Sequence, residues 1–179
     1  MKKRVIIKTQ KDIEMCREKI LASAEESHIR VCEVAENAES MGFFYRMKFE
    51  ELGCDPFDTG RNLNLIEQIN QTFTYMASLK AAEYLFDHYP TLKSLTLNLG
   101  TRSGWDIETD EIGGIVAEVF AAVHPKNNRK LMKDIEKVKV AAAKYRYVFF
   151  MCPGIGPGYY RQHAEIPGIE VISLGDELI

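Results

Sequence analysis

Leu95-Thr-Leu-Asn-Leu-Gly100-Thr-Arg-Ser-Gly-Trp105-Asp-Ile-Glu-Thr-Asp110 and Gly113-Gly-Ile-Val-Ala-Glu118-Val-Phe-Ala-Ala-Val123 carry the order of elements on which the fold depends. The strict alternation over 95–99 predicts a strand with one buried face. Gly100 to Gly104 reads as a turn, Trp105 opens a second strand, and Gly113-Gly114 marks the next turn. Residues 115–123 are almost wholly apolar apart from Glu118, as expected of a central strand covered on both faces. Two acids therefore fall in strand-rich sequence, Asp106 and Glu118. Asp is depleted from strands because its short side chain competes for backbone hydrogen bonds. Acids on adjacent strands form a ready site for a hard divalent cation, which prefers oxygen ligands.

Working outward from this core, Asn127 or Asn128 is placed to cap a helix running to about residue 143, with Leu131, Ile135, Val138 and Ala142 facing inward. Tyr147 to Met151 is a fourth strand, and its link to the third through a helix predicts a parallel pair. On the other side lies the clearest helix, 64–88, capped by Asn62 or Asn64 and closed at Tyr89-Pro90. Ile66, Ile69, Phe73, Met76, Ala77, Ala81, Tyr84 and Leu85 form one apolar stripe along it. Glu67 sits in its first turn, where a carboxylate also gains from the helix dipole. The expected architecture is α/β: a mixed central sheet of four or five strands with the 64–88 and 128–143 helices on opposite faces.

The flanks are less legible. Residues 3–8 predict a short strand and 11–26 a helix, while 29–35 fits a strand or a continuing helix. The aromatic segment Met41-Gly-Phe-Phe-Tyr-Arg-Met-Lys-Phe requires burial, and Asp55 to Gly60 reads as a loop. Residues 1–60 are thus expected as an N-terminal helical extension packed on a core of 61–179. Pro153-Gly-Ile-Gly-Pro-Gly158 lacks the lysine and following helix of a phosphate loop and reads as a surface loop. Tyr159, Tyr160 and Arg161 beside it suit stacking and phosphate contact. Ile169 to Leu174 predicts a last edge strand.

Cys16, Cys32, Cys54 and Cys152 have no CxxC spacing and no neighbouring histidine set, which points to free thiols in a reducing cytoplasm rather than a zinc site. The apolar run after Met1-Lys-Lys-Arg breaks at Lys8, too early for a signal peptide. Net charge is −3, but 124–146 holds eight Lys or Arg against Asp134 and Glu136, a local excess of six. Such a run is either a solvated helix face or a surface for phosphates.

The element order helix, three strands, helix, strand, with acids so placed, resembles the PD-(D/E)XK nuclease superfamily, the restriction endonuclease-like fold. The resemblance covers about residues 63–151. In that pattern an acid begins the second strand and an acid-x-lysine triplet lies in the third. Asp106 matches the first acid and Glu118 the second, while Glu67 matches the glutamate that the first core helix often adds. The triplet here is Glu118-Val119-Phe120, so phenylalanine stands in the lysine position. The superfamily sometimes supplies that lysine from the following helix, which makes Lys126 and Lys130 the candidates, Lys130 preferred for its place beside Leu131. Both also fit phosphate contacts or solvated charges. Glu118 also fits a salt bridge to Arg102 or Lys130. Glu108 shares a strand face with Asp106 as a further ligand candidate, and His124 reads as a strand-end residue.

The resemblance implies a DNA endonuclease of restriction or defence type, hydrolysing phosphodiester bonds with Mg²⁺ or Mn²⁺ held by Asp106 and Glu118. Lys126, Arg129, Lys130 and Lys133 would contact duplex DNA, and cutting both strands favours a homodimer. The alternative is a catalytically inactive member of the fold that binds nucleic acid or protein. A third reading is an unrelated α/β domain that uses the 41–49 segment as a subunit interface.

Overall fold

Seven strands in the order β1-β4-β5-β6-β7-β9-β8 build the central sheet of the computed structural model, which describes residues 3–100, 104–161 and 166–177. The strands and helices follow the chain as β1 (Lys3–Ile7), α1 (Gln10–Asn37), α2 (Ser40–Phe49), β2 (Gly53–Asp55), β3 (Asp58–Leu63), α3 (Leu65–His88), β4 (Leu95–Leu99), β5 (Ile107–Thr109), β6 (Ile115–Ala121), α4 (Lys130–Lys139), β7 (Tyr145–Met151), β8 (Gly158–Tyr159) and β9 (Glu170–Ser173). β1, β4, β5 and β6 pair antiparallel, whereas β6 with β7 and β7 with β9 run parallel. The sheet is therefore mixed and the class α/β, as expected, though larger than four or five strands.

Period-two alternation divides the sheet into two faces. Ile107, Ala117, Val119, Tyr147 and Phe149 bury one face against α3 residues such as Leu79, Ala81, Ala82 and Leu85, with Ile13 and Ile20 of α1 in the same cluster. Phe120, Val148 and Phe150 bury the other against Leu131, Ile135 and Val138 of α4. α3 and α4 thus lie on opposite faces. Placing these side chains out of water on both faces is the main drive for the arrangement, at roughly 1.5–3 kcal/mol per large apolar side chain.

Local chemistry sets several element ends. Thr9 and Asp12 form a reciprocal capping box at the start of α1: the Thr9 hydroxyl accepts from Asp12 N at 3.2 Å, and Asp12 Oδ2 accepts from Thr9 N at 2.9 Å. Asn64 caps α3 by accepting from Glu67 N at 2.9 Å. The Gly113-Gly114 turn adopts positive φ at both residues (95° and 91°), a conformation that favours glycine.

The structure departs from the sequence expectations at identifiable points. The strand expected at 3–8 forms as β1 and the continuing-helix reading of 29–35 holds within α1, but other segments differ. The segment 55–60, expected as a loop, forms most of the β2–β3 hairpin, whose turn is held by Asp55 Oδ1 accepting from Phe57 N at 3.0 Å. α2 turns only Phe43 and Met47 inward and leaves Met41, Phe44, Tyr45 and Phe49 at least 61% exposed, so the burial expected of this segment does not occur. Ile66, Ile69 and Phe73 of the α3 stripe are also exposed, because the helix buries the Tyr75–Leu85 portion instead.

Two further differences lie near the α4 layer. Asn128 and Arg129 take left-handed backbone angles, so neither Asn127 nor Asn128 caps a helix; α4 begins at Lys130, and Ala142 lies beyond its end, exposed. The final strand is not an edge, since β8 pairs along its outer side. Arg102 and His163 lie outside the described residues.

Candidate active site on the α4 face of the sheet

The β5–β6 register pairs Ile107 with Ala117, which places Asp106, one residue before the ladder, opposite Glu118. Ile107 faces the α3 layer, so alternation turns Asp106 and Glu108 to the α4 side, where Glu118 and Phe120 also point. Asp106 is held in place by Oδ2 accepting from Val119 N at 2.8 Å. Its main chain is fixed as well, with Asp106 O accepting from Asn98 N at 2.8 Å. The two acids thus sit as cross-strand neighbours on adjacent strands.

The third component comes from α4. Lys130, Asp134 and Lys137 follow i, i+4, i+7 spacing and share one side of the helix. Lys137 Nζ lies 2.6 Å from Glu118 Oε1. Lys130 Nζ donates to Asp134 Oδ1 at 2.6 Å and sits 5.9 Å from the Phe120 ring centroid. The lysine that reaches the strand glutamate is therefore Lys137, while Lys130 is bound to Asp134. Lys126 falls before the helix, is exposed, and its backbone N–H donates to His124 Nδ1 at 3.1 Å.

Glu118 and Asp134 are 2% and 3% exposed and Asp106 is half-buried, so the carboxylates are poorly solvated while the Lys130 and Lys137 side chains, 43% and 42% exposed, reach toward water. Burial raises Glu118 to a pKa of about 7, helped by the Asp106 charge and opposed by Lys137. Burial likewise raises Asp106, against the Val119 hydrogen bond and the Lys137 and Lys130 charges. Asp134 is raised by burial too, against its bond from Lys130. Shifts of this kind gather where a site is built for chemistry, and also in structural ion-pair networks.

Beside the cluster, no helix among the described residues packs on the α4-side face of β1, β4 and β5. An open groove of about 690 Å³ runs there, lined among others by Arg4, Thr96, Trp105, Glu108, Val116 and Ala142. Arg4 pairs with Glu108 across it at 3.2 Å, so Glu108 faces the groove and not the acid pair's lysine. Trp105 bridges the two regions, since its ring lies 5.7 Å from Lys137 Nζ and also lines the groove.

Of the residues singled out from sequence, Asp106 and Glu118 are brought together and Lys130 lies close by. Glu67 is elsewhere, exposed in the first turn of α3 on the opposite layer, 3.7 Å from Arg61. Arg129, just before α4, and Lys133, within it, are exposed. Sequence reasoning missed Lys137 and Asp134, which appeared only as members of a charge run. Their spacing from Lys130 was the available signal.

The donor set suits a small divalent cation only narrowly. Among the described residues, no group of three or more His, Cys, Asp or Glu side chains is gathered to hold a metal ion. Asp106 and Glu118 leave two carboxylates, within the one or two that Mg²⁺ commonly takes while keeping several waters. Glu118 Oε1 is buried, and the cation beside it is the Lys137 ammonium, 2.6 Å away, which a metal at this oxygen would have to displace.

No protein-family model matches the chain, and no curated protein or solved structure matches it either. Among the described residues no helix is long and apolar enough to cross a membrane.

Proposed function

We propose that the Asp106–Glu118–Lys137 cluster is the catalytic centre of a Mg²⁺-dependent nuclease, a DNA endonuclease of the restriction endonuclease-like kind. The observation that carries the reading is the pair of cross-strand carboxylates with an ammonium 2.6 Å from one of them, at the side of an open groove. Asp106 and Glu118 would hold the metal. When bound, Mg²⁺ polarises a phosphate oxygen and lowers the pKa of an attacking water.

The chain's own groups supply the rest. Lys137 is placed to offset the negative charge that develops on the phosphate in the transition state. The Val119 N–H fixes the Asp106 carboxylate, so one metal ligand needs no reorganisation. Phe120, stacked on Phe150 at 5.8 Å, closes the inner wall to water. Lys126, Arg129 and Lys133 present exposed cations to the backbone of a duplex. Cutting both strands would bring two copies together about a two-fold axis.

A second reading follows from Phe120, which fills the position where the superfamily places its strand lysine: a binding module that has lost catalysis. Purified protein is incubated with labelled duplex DNA, single-stranded DNA and RNA, with Mg²⁺ or Mn²⁺ and with chelator. Chelator-sensitive cleavage supports the nuclease, whereas salt-dependent binding without cleavage under any condition supports the module.

A further inference from the structure

Lys137 occupies, in the resting protein, the place beside Glu118 where a divalent cation would approach. We propose that it is a gate: its ammonium holds the cation position until a nucleic-acid phosphate draws it away, so that divalent-metal binding and nucleic-acid binding are positively coupled. The proposal rests on Asp106 and Glu118 being the metal ligands, and adds a regulatory role for a residue of α4.

Four features of the cluster support a movable ammonium. The Lys137–Glu118 contact, at 2.6 Å, is an ion pair whose ammonium lies off the in-line hydrogen-bond direction of Glu118 Oε1. The two partners differ sharply in exposure, 42% for the Lys137 side chain against 3% for Glu118, so the ammonium can swing outward while the carboxylate stays. Trp105 offers a path, because its ring lies beneath Lys137 and also lines the groove. Lys130 cannot take over the position while its bond to Asp134, itself 4% exposed at the side chain, is kept.

Charge balance gives the coupling its direction. With the acids ionised, Asp106, Glu118 and Asp134 face Lys130 and Lys137, a net charge of minus one. A divalent cation added with Lys137 in place would overshoot to plus one in a poorly solvated site. If Lys137 instead pairs with an incoming phosphate, the metal is matched by the carboxylates and the ammonium by the phosphate. Linkage then requires each ligand to strengthen the other's binding by the same factor.

The test measures free Mn²⁺ by electron paramagnetic resonance, with and without an uncleavable phosphorothioate duplex of mixed sequence. Wild-type protein is expected to bind Mn²⁺ at least tenfold more tightly with the duplex than without it. Lys137→Met is expected to bind Mn²⁺ at least tenfold more tightly than wild type without duplex, with most of the coupling abolished. Lys137→Arg, which keeps the charge, should keep the wild-type Mn²⁺ affinity and its coupling to duplex, and circular dichroism of each variant checks the fold. Equal affinity in wild type and Lys137→Met, combined with its loss in Asp106→Asn, would overturn the gate and leave the metal site standing. Absence of Mn²⁺ binding in all of these proteins, with and without duplex, overturns both.

Discussion

Asp106 Oδ2 accepts a hydrogen bond from Val119 N at 2.8 Å, so the carboxylate that precedes β5 is anchored to the backbone of β6 directly after Glu118. One oxygen of Asp106 is therefore structural, and the residue cannot be treated as a free ligand. This bond separates the two effects of changing it.

Asp106→Ala leaves the Val119 N–H without its acceptor and should lower stability by about 1–3 kcal/mol. Asp106→Asn removes the charge but retains a carbonyl acceptor, and its stability should stay close to wild type. Both should abolish Mg²⁺-dependent cleavage. Urea unfolding beside a cleavage assay distinguishes them, and equal destabilisation by Ala and Asn would contradict the anchoring role.

Glu118 sets a pH dependence whose sign follows from its raised pKa. The unfolded chain releases this proton near 4.5 and the native protein near 7. Between those values the native state holds more protons, so stability falls as pH rises through the window and levels off above it. The contribution is on the order of 3 kcal/mol. Asp106 and Asp134, also raised, act in the same direction. Glu118→Gln should flatten this slope and be the more stable protein at pH 8, as measured by urea midpoints across the range. An unchanged slope would show that Glu118 ionises normally.

Asp55 tests a second buried charge, away from the site. It pairs with Lys3, the two side chains being 0% and 7% exposed, and Arg61 lies 3.5 Å away. Asp55→Ala strands the Lys3 ammonium and removes the turn acceptor of Phe57 N, so it should cost about 3–5 kcal/mol. The double change Asp55→Ala with Lys3→Met should recover part of that loss. Thermal melts of the single and double variants check it; no recovery would mean that the turn bond, not the ion pair, carries the effect.

The exposed cations before and within the first turn of α4 make a separable prediction on affinity. Changing Lys126, Arg129 and Lys133 to glutamate should weaken duplex binding and flatten the dependence of log affinity on log salt, by about one unit of slope for each phosphate no longer neutralised. Fluorescence anisotropy over a salt series measures both. Affinity and slope that both stay at wild-type values would return these residues to the role of solvated surface charges.

How much was legible in the sequence depended on the range of the interaction. The alternation of Leu95 to Leu99 and the apolar run of 115–121 determined the central strands, because a strand's two faces are a period-two property of the chain itself. The helix at 64–88 and the parallel step from β6 to β7 were determined in the same way, by periodicity and by the length of the connection. Asp106 and Glu118 stood out because acids are costly in such strands. What the sequence could not determine was which side chain meets which across separate elements. The segment 55–60 looked like a loop because its Pro, Asp and Gly content says nothing of Lys3, which meets Asp55 from far away in the chain. Ile69 and Phe73 looked buried because a helical stripe records a face but not how far the sheet extends beneath it. The choice of Lys137 over Lys130 as the partner of Glu118 was decided by where α4 starts, and that start was moved by the left-handed turn at Asn128 and Arg129. Local pattern fixes the elements, since backbone geometry is set residue by residue. The site is assembled by packing, which joins groups that no local rule relates.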